Sequence, residues 1–280
     1  MTSLLPWLID AALKSTALLL VVFGLTLLLR RASAAVRHLV WGLGVAGALA
    51  LPLVSAVLPW RLAVLPSRPV AVTSPAPDLD LTIADAAIPA PAPSTGSTER
   101  LSPPPADETV SSWRFPGTAP TLVALWIAGA VLALAHLGLG ALSAWRLARR
   151  AAPLGQVSPW GALLHQLKAQ LGVRAPVRLL LSDRTPLPAT WGLTRPVIIL
   201  PRDAQTWSDD RRRAVLLHEL AHIARNDLFI HLAAQVACSL YWFNPLVWVA
   251  ARRLRAESER ACDDLVLGNG IRASDYAVQL

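Results

Sequence analysis

Apolar residues run almost without interruption through Leu4 to Leu29, Leu39 to Leu58 and Thr121 to Trp145. Each run has the roughly 20 residues that a helix needs to cross about 30 Å of hydrocarbon, so three membrane spans are expected. The first run has no basic residue before Lys14 and is followed by Arg30-Arg31 instead of a small-residue cleavage site. It therefore reads as a retained anchor and not a signal peptide. Asp10 and Lys14 stand one helical turn apart within it, which predicts a mutual ion pair. A fourth apolar stretch, Leu228 to Ala251, is interrupted by His231, Gln235 and Asn244-Pro245 and followed by Arg252, Arg253 and Arg255. It is expected to lie against or dip into the membrane as two helical pieces bent near Asn244-Pro245, with both ends on the same side.

Beyond Arg150 the pattern becomes that of a globular domain. Trp160 to Leu171 predicts an amphipathic helix ended by Gly172. Val177 to Leu181 and Val197 to Leu200 predict two strands of a small sheet or hairpin, separated by the turn-rich Thr185 to Pro196. The second of these, read as an edge strand, is expected to align a substrate by strand addition. Ser208 with Asp209 and Asp210 is a helix start, and that helix is expected to reach about Asn226. Val247 to Leu267 predicts a further helix. The fold class expected is a mainly α membrane protein, with three N-terminal transmembrane helices and an α+β domain containing a small β-sheet.

Composition agrees with the spans and charge orients them. Apolar residues make up 54%, charged residues 16%, and mean hydropathy is +0.46, whereas soluble domains carry about 25% charged residues. Cys238 and Cys262 are the two cysteines, too few for a disulfide framework or a four-cysteine zinc site. The net charge is +8. Arg30, Arg31 and Arg37 fill the first connection without an acid, which places it in the cytoplasm and the N-terminus outside. The Pro-rich loop 61–120 is then extracytoplasmic, and runs such as Pro103-Pro104-Pro105 make it extended and disordered. The third span, within 121–147, ends in Arg146, Arg149 and Arg150 and returns the chain to the cytoplasm, where 148–280 forms the last domain. From Arg146 onward 18 basic residues face 11 acidic ones. Membrane orientation accounts for the excess, and no direct nucleic-acid partner is expected.

The helix after Ser208 carries His218-Glu219-Leu220-Ala221-His222, an H-E-x-x-H pattern. Residues four apart share a helix face, so both imidazoles can hold one Zn2+, and Glu219 can reach a water activated there. A catalytic zinc needs a third protein ligand. The metzincin continuation would require Gly at 225 and His at 228, but those positions are Arg225 and Leu228, which leaves an acid from a later helix. Glu259 and Asp263 share a face there, which suits one carboxylate on the metal and a second orienting a ligand histidine. Asp227 is a second candidate for such support. Glu257 and Asp264 are expected to be solvated surface acids, and Cys262 a small buried residue. No residue is assigned to oxyanion stabilisation; Tyr276 is considered for it, but a structural role is the preferred reading.

These residues, with Trp242-Phe243-Asn244-Pro245-Leu246-Val247-Trp248, Arg252-Arg253, Glu259-Arg260-Ala261-Cys262-Asp263-Asp264, Pro188-Ala189-Thr190, Gly192 and Arg195-Pro196-Val197-Ile198-Ile199-Leu200-Pro201, resemble the BlaR/MecR-type integral-membrane metalloproteases over roughly residues 120 to 280. The resemblance implies a zincin-like fold of gluzincin type facing the cytoplasm, with His218, His222 and Glu259 as zinc ligands and Glu219 as general base. It implies a signal-transducing endopeptidase that cleaves itself or a cytosolic transcriptional repressor. Its partners would be membrane lipid and a protein substrate, and a homodimer is compatible with that role. The drug-resistance members of the family carry an S-x-x-K sensor, and no serine here precedes a lysine by three residues, so β-lactam sensing is not expected. The family also has a further span beyond the position of Leu280, which suggests a fragment or a shortened relative. Two other readings of the same residues are a membrane quality-control protease of the HtpX type and a non-catalytic receptor or scaffold.

Overall fold

The computed structural model describes residues 4–57, 118–155 and 158–272. The loop expected at 61–120 and Tyr276 lie outside them, apart from residues 118–120, which begin a helix. The described residues are mostly helical, with three helices long and apolar enough to cross a membrane and a small mixed sheet. The three are α1 (Leu4–Leu28), α2 (Ala34–Val57) and α3 (Thr118–Arg150). Lys14 does pair with Asp10, at 2.6 Å, and also reaches Ser55 of α2 at 3.3 Å.

After α3 come β1 (Ala152–Pro153), α4 (Pro159–Gln170), β2 (Arg178–Ser182), β3 (Ala189–Trp191) and β4 (Val197–Pro201). The sheet order is β1-β2-β4-β3, with β2 and β4 parallel and the outer pairs antiparallel. Two expectations are corrected here. β2 and β4 do not form a hairpin, because the hairpin partner of β4 is β3, hidden in the segment read as turns. Nor is Val197 to Leu200 an edge. It is an inner strand, buried along its whole length, and β3 is the edge. Coverage on both faces explains the unbroken apolar run Val197-Ile198-Ile199-Leu200. Ile198 and Leu200 face a core with Trp160, Leu164, Leu167 and Leu217. Val197 and Ile199 face Leu147 and Ala148 at the end of α3. Gly192, at φ +99°, makes the β3–β4 turn, and a Cβ there would stand 2.7 Å from the Arg195 carbonyl oxygen.

Three further helices follow among the described residues: α5 (Asp209–Ala224), α6 (Asp227–Leu240) and α7 (Pro245–Gly268). Ser208 caps α5 by accepting from Arg211 N–H, and Asn244 caps α7 by accepting from Leu246 N–H. The apolar stretch 228–251 is thus two helices broken at Tyr241 to Asn244. The 14 residues of α6 cover only about 21 Å at about 1.5 Å per residue, short of a bilayer core.

The N-terminal helices pack directly onto α6 and α7. Leu19, Val22, Trp41 and Val45 share a core with Ala237, Tyr241, Val247 and Leu254. Polar contacts fix the register: Tyr241 Oη donates to Ala48 O at 3.0 Å, Asn244 Nδ2 to Thr16 Oγ1 at 2.9 Å, and Trp126 Nε1 to Leu240 O at 2.9 Å.

Candidate metal centre

α5 presents His218 and His222 side by side, their rings 4.9 Å apart at 77°. α7 brings Glu259 to them from the other side. His218 Nε2 and His222 Nε2 are 3.2 Å apart, and Glu259 Oε2 lies 3.5 Å from the first and 3.8 Å from the second. Around a tetrahedral zinc with bonds of about 2.05 Å, ligand atoms stand about 3.3 Å from one another. The three side chains therefore have the spacing of a metal-ligand set.

Their far sides are held as well. His222 Nδ1 is 2.8 Å from Asp227 Oδ2, and His218 Nδ1 is 3.2 Å from Asp263 Oδ1. A carboxylate at each Nδ1 favours a proton there and leaves each Nε2 as an acceptor. Two acceptor nitrogens and a carboxylate oxygen within 4.8 Å of one another repel unless a cation or a proton sits among them. The donor set accordingly fits a divalent cation. Glu259 is half exposed, so the open side of the cluster faces the cleft.

Asp227 reaches His222 because α5 and α6 are joined by only Arg225 and Asn226, with Asn226 left-handed at φ 56°, a conformation asparagine tolerates. Asp227 Oδ2 also accepts from Ser258 Oγ at 2.7 Å. Burial alone would raise its carboxyl, but His222, Ser258 and Arg225 outweigh that and hold it at about 2. Burial would lower His218, yet the carboxylates of Glu259, Glu219 and Asp263 raise it above its ordinary 6.5. His218 in turn holds Glu259 below the ordinary carboxylate value.

Glu219 is buried, 8% exposed, and accepts from Thr190 Oγ1 at 2.6 Å. Thr190 belongs to β3, so the edge strand and the carboxylate line one cleft of about 1070 Å³ together with His218, His222 and Glu259. Phe229, Leu187, Arg211 and Arg255 form other parts of its wall.

The structure brings together all six residues singled out in the sequence: His218, Glu219, His222, Asp227, Glu259 and Asp263. It corrects the reading of Glu257, which is not a solvated acid but 5% exposed, because Arg37 of α2 pairs with it at 2.7 Å and Arg260 at 2.7 Å. Asp264 is exposed. Cys262 is fully buried, with its sulfur 3.3 Å from His222 Nδ1, and His222, Asp227 and Cys262 form a second compact trio. Burial and the Asp227 carboxylate push that thiol far above its ordinary range. Thr190, Ser258 and Arg37 were missed as contributors. A local pattern gave no signal for the last two, whose partners lie 31 and 220 residues away.

The model of the BlaR1 peptidase M56 family matches residues 6–278. This chain belongs to that family. It is 40% identical over 106 residues to "Regulatory protein BlaR1" of Bacillus licheniformis, a stretch that is 38% of this chain and 18% of that protein. Over 81 residues it is 31% identical to the "Methicillin resistance mecR1 protein" of Staphylococcus aureus, covering 29% of this chain and 14% of that protein, and it matches the Staphylococcus epidermidis protein of the same name equally. The chain thus aligns with less than a fifth of the length of these relatives. It combines membership of a peptidase family with three helices, among the described residues, that are long and apolar enough to cross a membrane.

Proposed function

We propose that the chain is an integral-membrane zinc endopeptidase of gluzincin type, with a zincin-like catalytic domain in the cytoplasm and the N-terminus outside. The observation that carries this reading is the convergence of His218 Nε2, His222 Nε2 and Glu259 Oε2 beside the buried Glu219. When bound at these three atoms, zinc supplies Lewis-acid polarisation of the scissile carbonyl and lowers the pKa of a water to about 7. Glu219 would act as general base and then general acid, its carboxylate accepting a proton and passing it to the leaving amine. Thr190 fixes the Glu219 carboxylate by its hydrogen bond. An extended peptide pairs with the edge of β3 that is unpaired among the described residues and runs along the cleft. Asp227 and Asp263 orient the two ligand imidazoles.

The names of the relatives, a regulatory protein and a resistance protein, support a signalling role. The substrate in this reading is the chain itself or a cytosolic repressor. Glu219→Gln tests the reading, since the amide keeps the shape and cannot take the proton. The variant should retain zinc and lose all proteolysis, self-cleavage included. Unchanged cleavage in a folded Glu219→Gln chain would return the protein to the class of receptors or scaffolds.

A further inference from the structure

Two consecutive residues in the first turns of the membrane helix α2 reach behind the metal centre. Arg37 donates through Nε to Glu257 Oε2 at 2.9 Å and through Nη1 to the Ala32 carbonyl, tying the α1–α2 corner to α7 two residues before Glu259. His38, 5% exposed, turns to Asp227, the residue that holds His222. Its Nε2 lies 3.7 Å from Asp227 Oδ1. Both atoms are buried and neither makes a hydrogen bond among the described residues. Asp227 Oδ2 is fully engaged by His222 and Ser258, whereas Oδ1 has Arg225 Nε at 3.3 Å without a hydrogen bond. A buried carboxylate oxygen and a buried imidazole nitrogen of complementary kind, facing each other about 0.7 Å beyond hydrogen-bond length, are poised to pair, since leaving both unpaired is unfavourable.

We propose that His38 is a positioning residue of the metal centre: its Nε2–H donates to Asp227 Oδ1 in the metal-loaded protein, so that the seating of membrane helix α2 sets the orientation of His222. The inference rests on the reading of His218, His222 and Glu259 as metal ligands. It makes α2 a part of the site, with Arg37 holding the Glu259 helix and His38 holding the His222 support. A small displacement of α2 then acts on two of the three ligands at once, through contacts made of hydrogen bonds and not through loops.

The test uses the full chain in detergent or nanodiscs, with zinc affinity measured by chelator competition and ligand geometry read from the cobalt-substituted spectrum. Loss of outer supports typically costs roughly 10 to 100-fold in affinity or activity. His38→Met, of similar bulk but with no donor, should weaken zinc binding about 10-fold and alter the cobalt spectrum. His38→Gln, whose Nε2 amide can donate, should stay within about 2-fold of the parent chain, as should the surface control His165→Ala. Equal behaviour of the Met and Gln variants would overturn the proposal, as would failure of the Gln variant to fold. A wild-type chain that binds no zinc would instead overturn the reading on which the proposal rests. The parent chain gives a second measurement independent of any substitution: with 15N-labelled histidines and zinc bound, His38 should carry its proton on Nε2, and a proton on Nδ1 alone would contradict the assignment.

Discussion

His218 stands between opposed influences, burial that lowers its pKa and three carboxylates that raise it above 6.5. A ligand histidine must shed its proton before it binds metal. Zinc affinity should be full above the raised pKa and fall as pH drops through it, with the loss beginning at a higher pH than an ordinary histidine near 6.5 would give. Below that point one competing proton costs up to about tenfold in affinity per pH unit. Apparent zinc affinity, measured from about pH 5.5 to 8.5, checks this. Asp263→Asn, which removes one of the raising charges, should shift the onset downward. An onset at or below that of a free imidazole would show that the carboxylates do not act on His218 in this way.

At the scale of elements, α7 carries two neighbouring acids with separate tasks. Glu259 faces α5 and the cleft, while Glu257 faces α2 and is neutralised there by Arg37. Truncating Glu257 leaves a guanidinium half of a buried pair, a loss of order 3 kcal/mol. Glu257→Ala should therefore lower the melting temperature and, by loosening the Arg37 tie to the Glu259 helix, weaken zinc binding by the folded fraction only modestly. Glu259→Ala should do the reverse, weakening zinc by more than the roughly 10 to 100-fold typical of supporting residues. Equal zinc losses in the two variants would contradict the division. The sequence made α5 and its histidines legible because cap, period and motif lie within one helix. The separate roles of Glu257 and Glu259 were not legible, since both are acids on one helix and only the packing of α2 tells them apart. β3 was obscured for a related reason: Pro186, Pro188 and Gly192 are turn residues, and a three-residue edge strand exists by pairing with β4 and not by its own propensity.

In the whole molecule, the membrane helices and the site form one packed unit. Hydropathy foretold three long apolar helices, and Asn244-Pro245 foretold the break between α6 and α7. Long-range partners such as Arg37 and Glu257 leave no trace in local periodicity. In the proposed reading α5 and the end of α7 lie on the same side of the membrane, since His218, His222 and Glu259 meet at one point. Single cysteines at position 205, before α5, and at position 272, after α7, should both resist an impermeant external thiol reagent in a background lacking Cys238 and Cys262. Position 272 is preferable to Gly270, whose φ of +88° disfavours any side chain. Labelling at 272 but not at 205 would show a true crossing between them.

In the proposed site His218, His222 and Glu259 hold zinc and the Cys262 trio does not. X-ray absorption at the zinc edge of the purified chain tests it most directly. The expected result is one zinc per chain with two imidazole nitrogens at about 2.0 to 2.1 Å and only oxygen besides. A sulfur neighbour at about 2.3 Å, or a chain that retains no zinc, would contradict it.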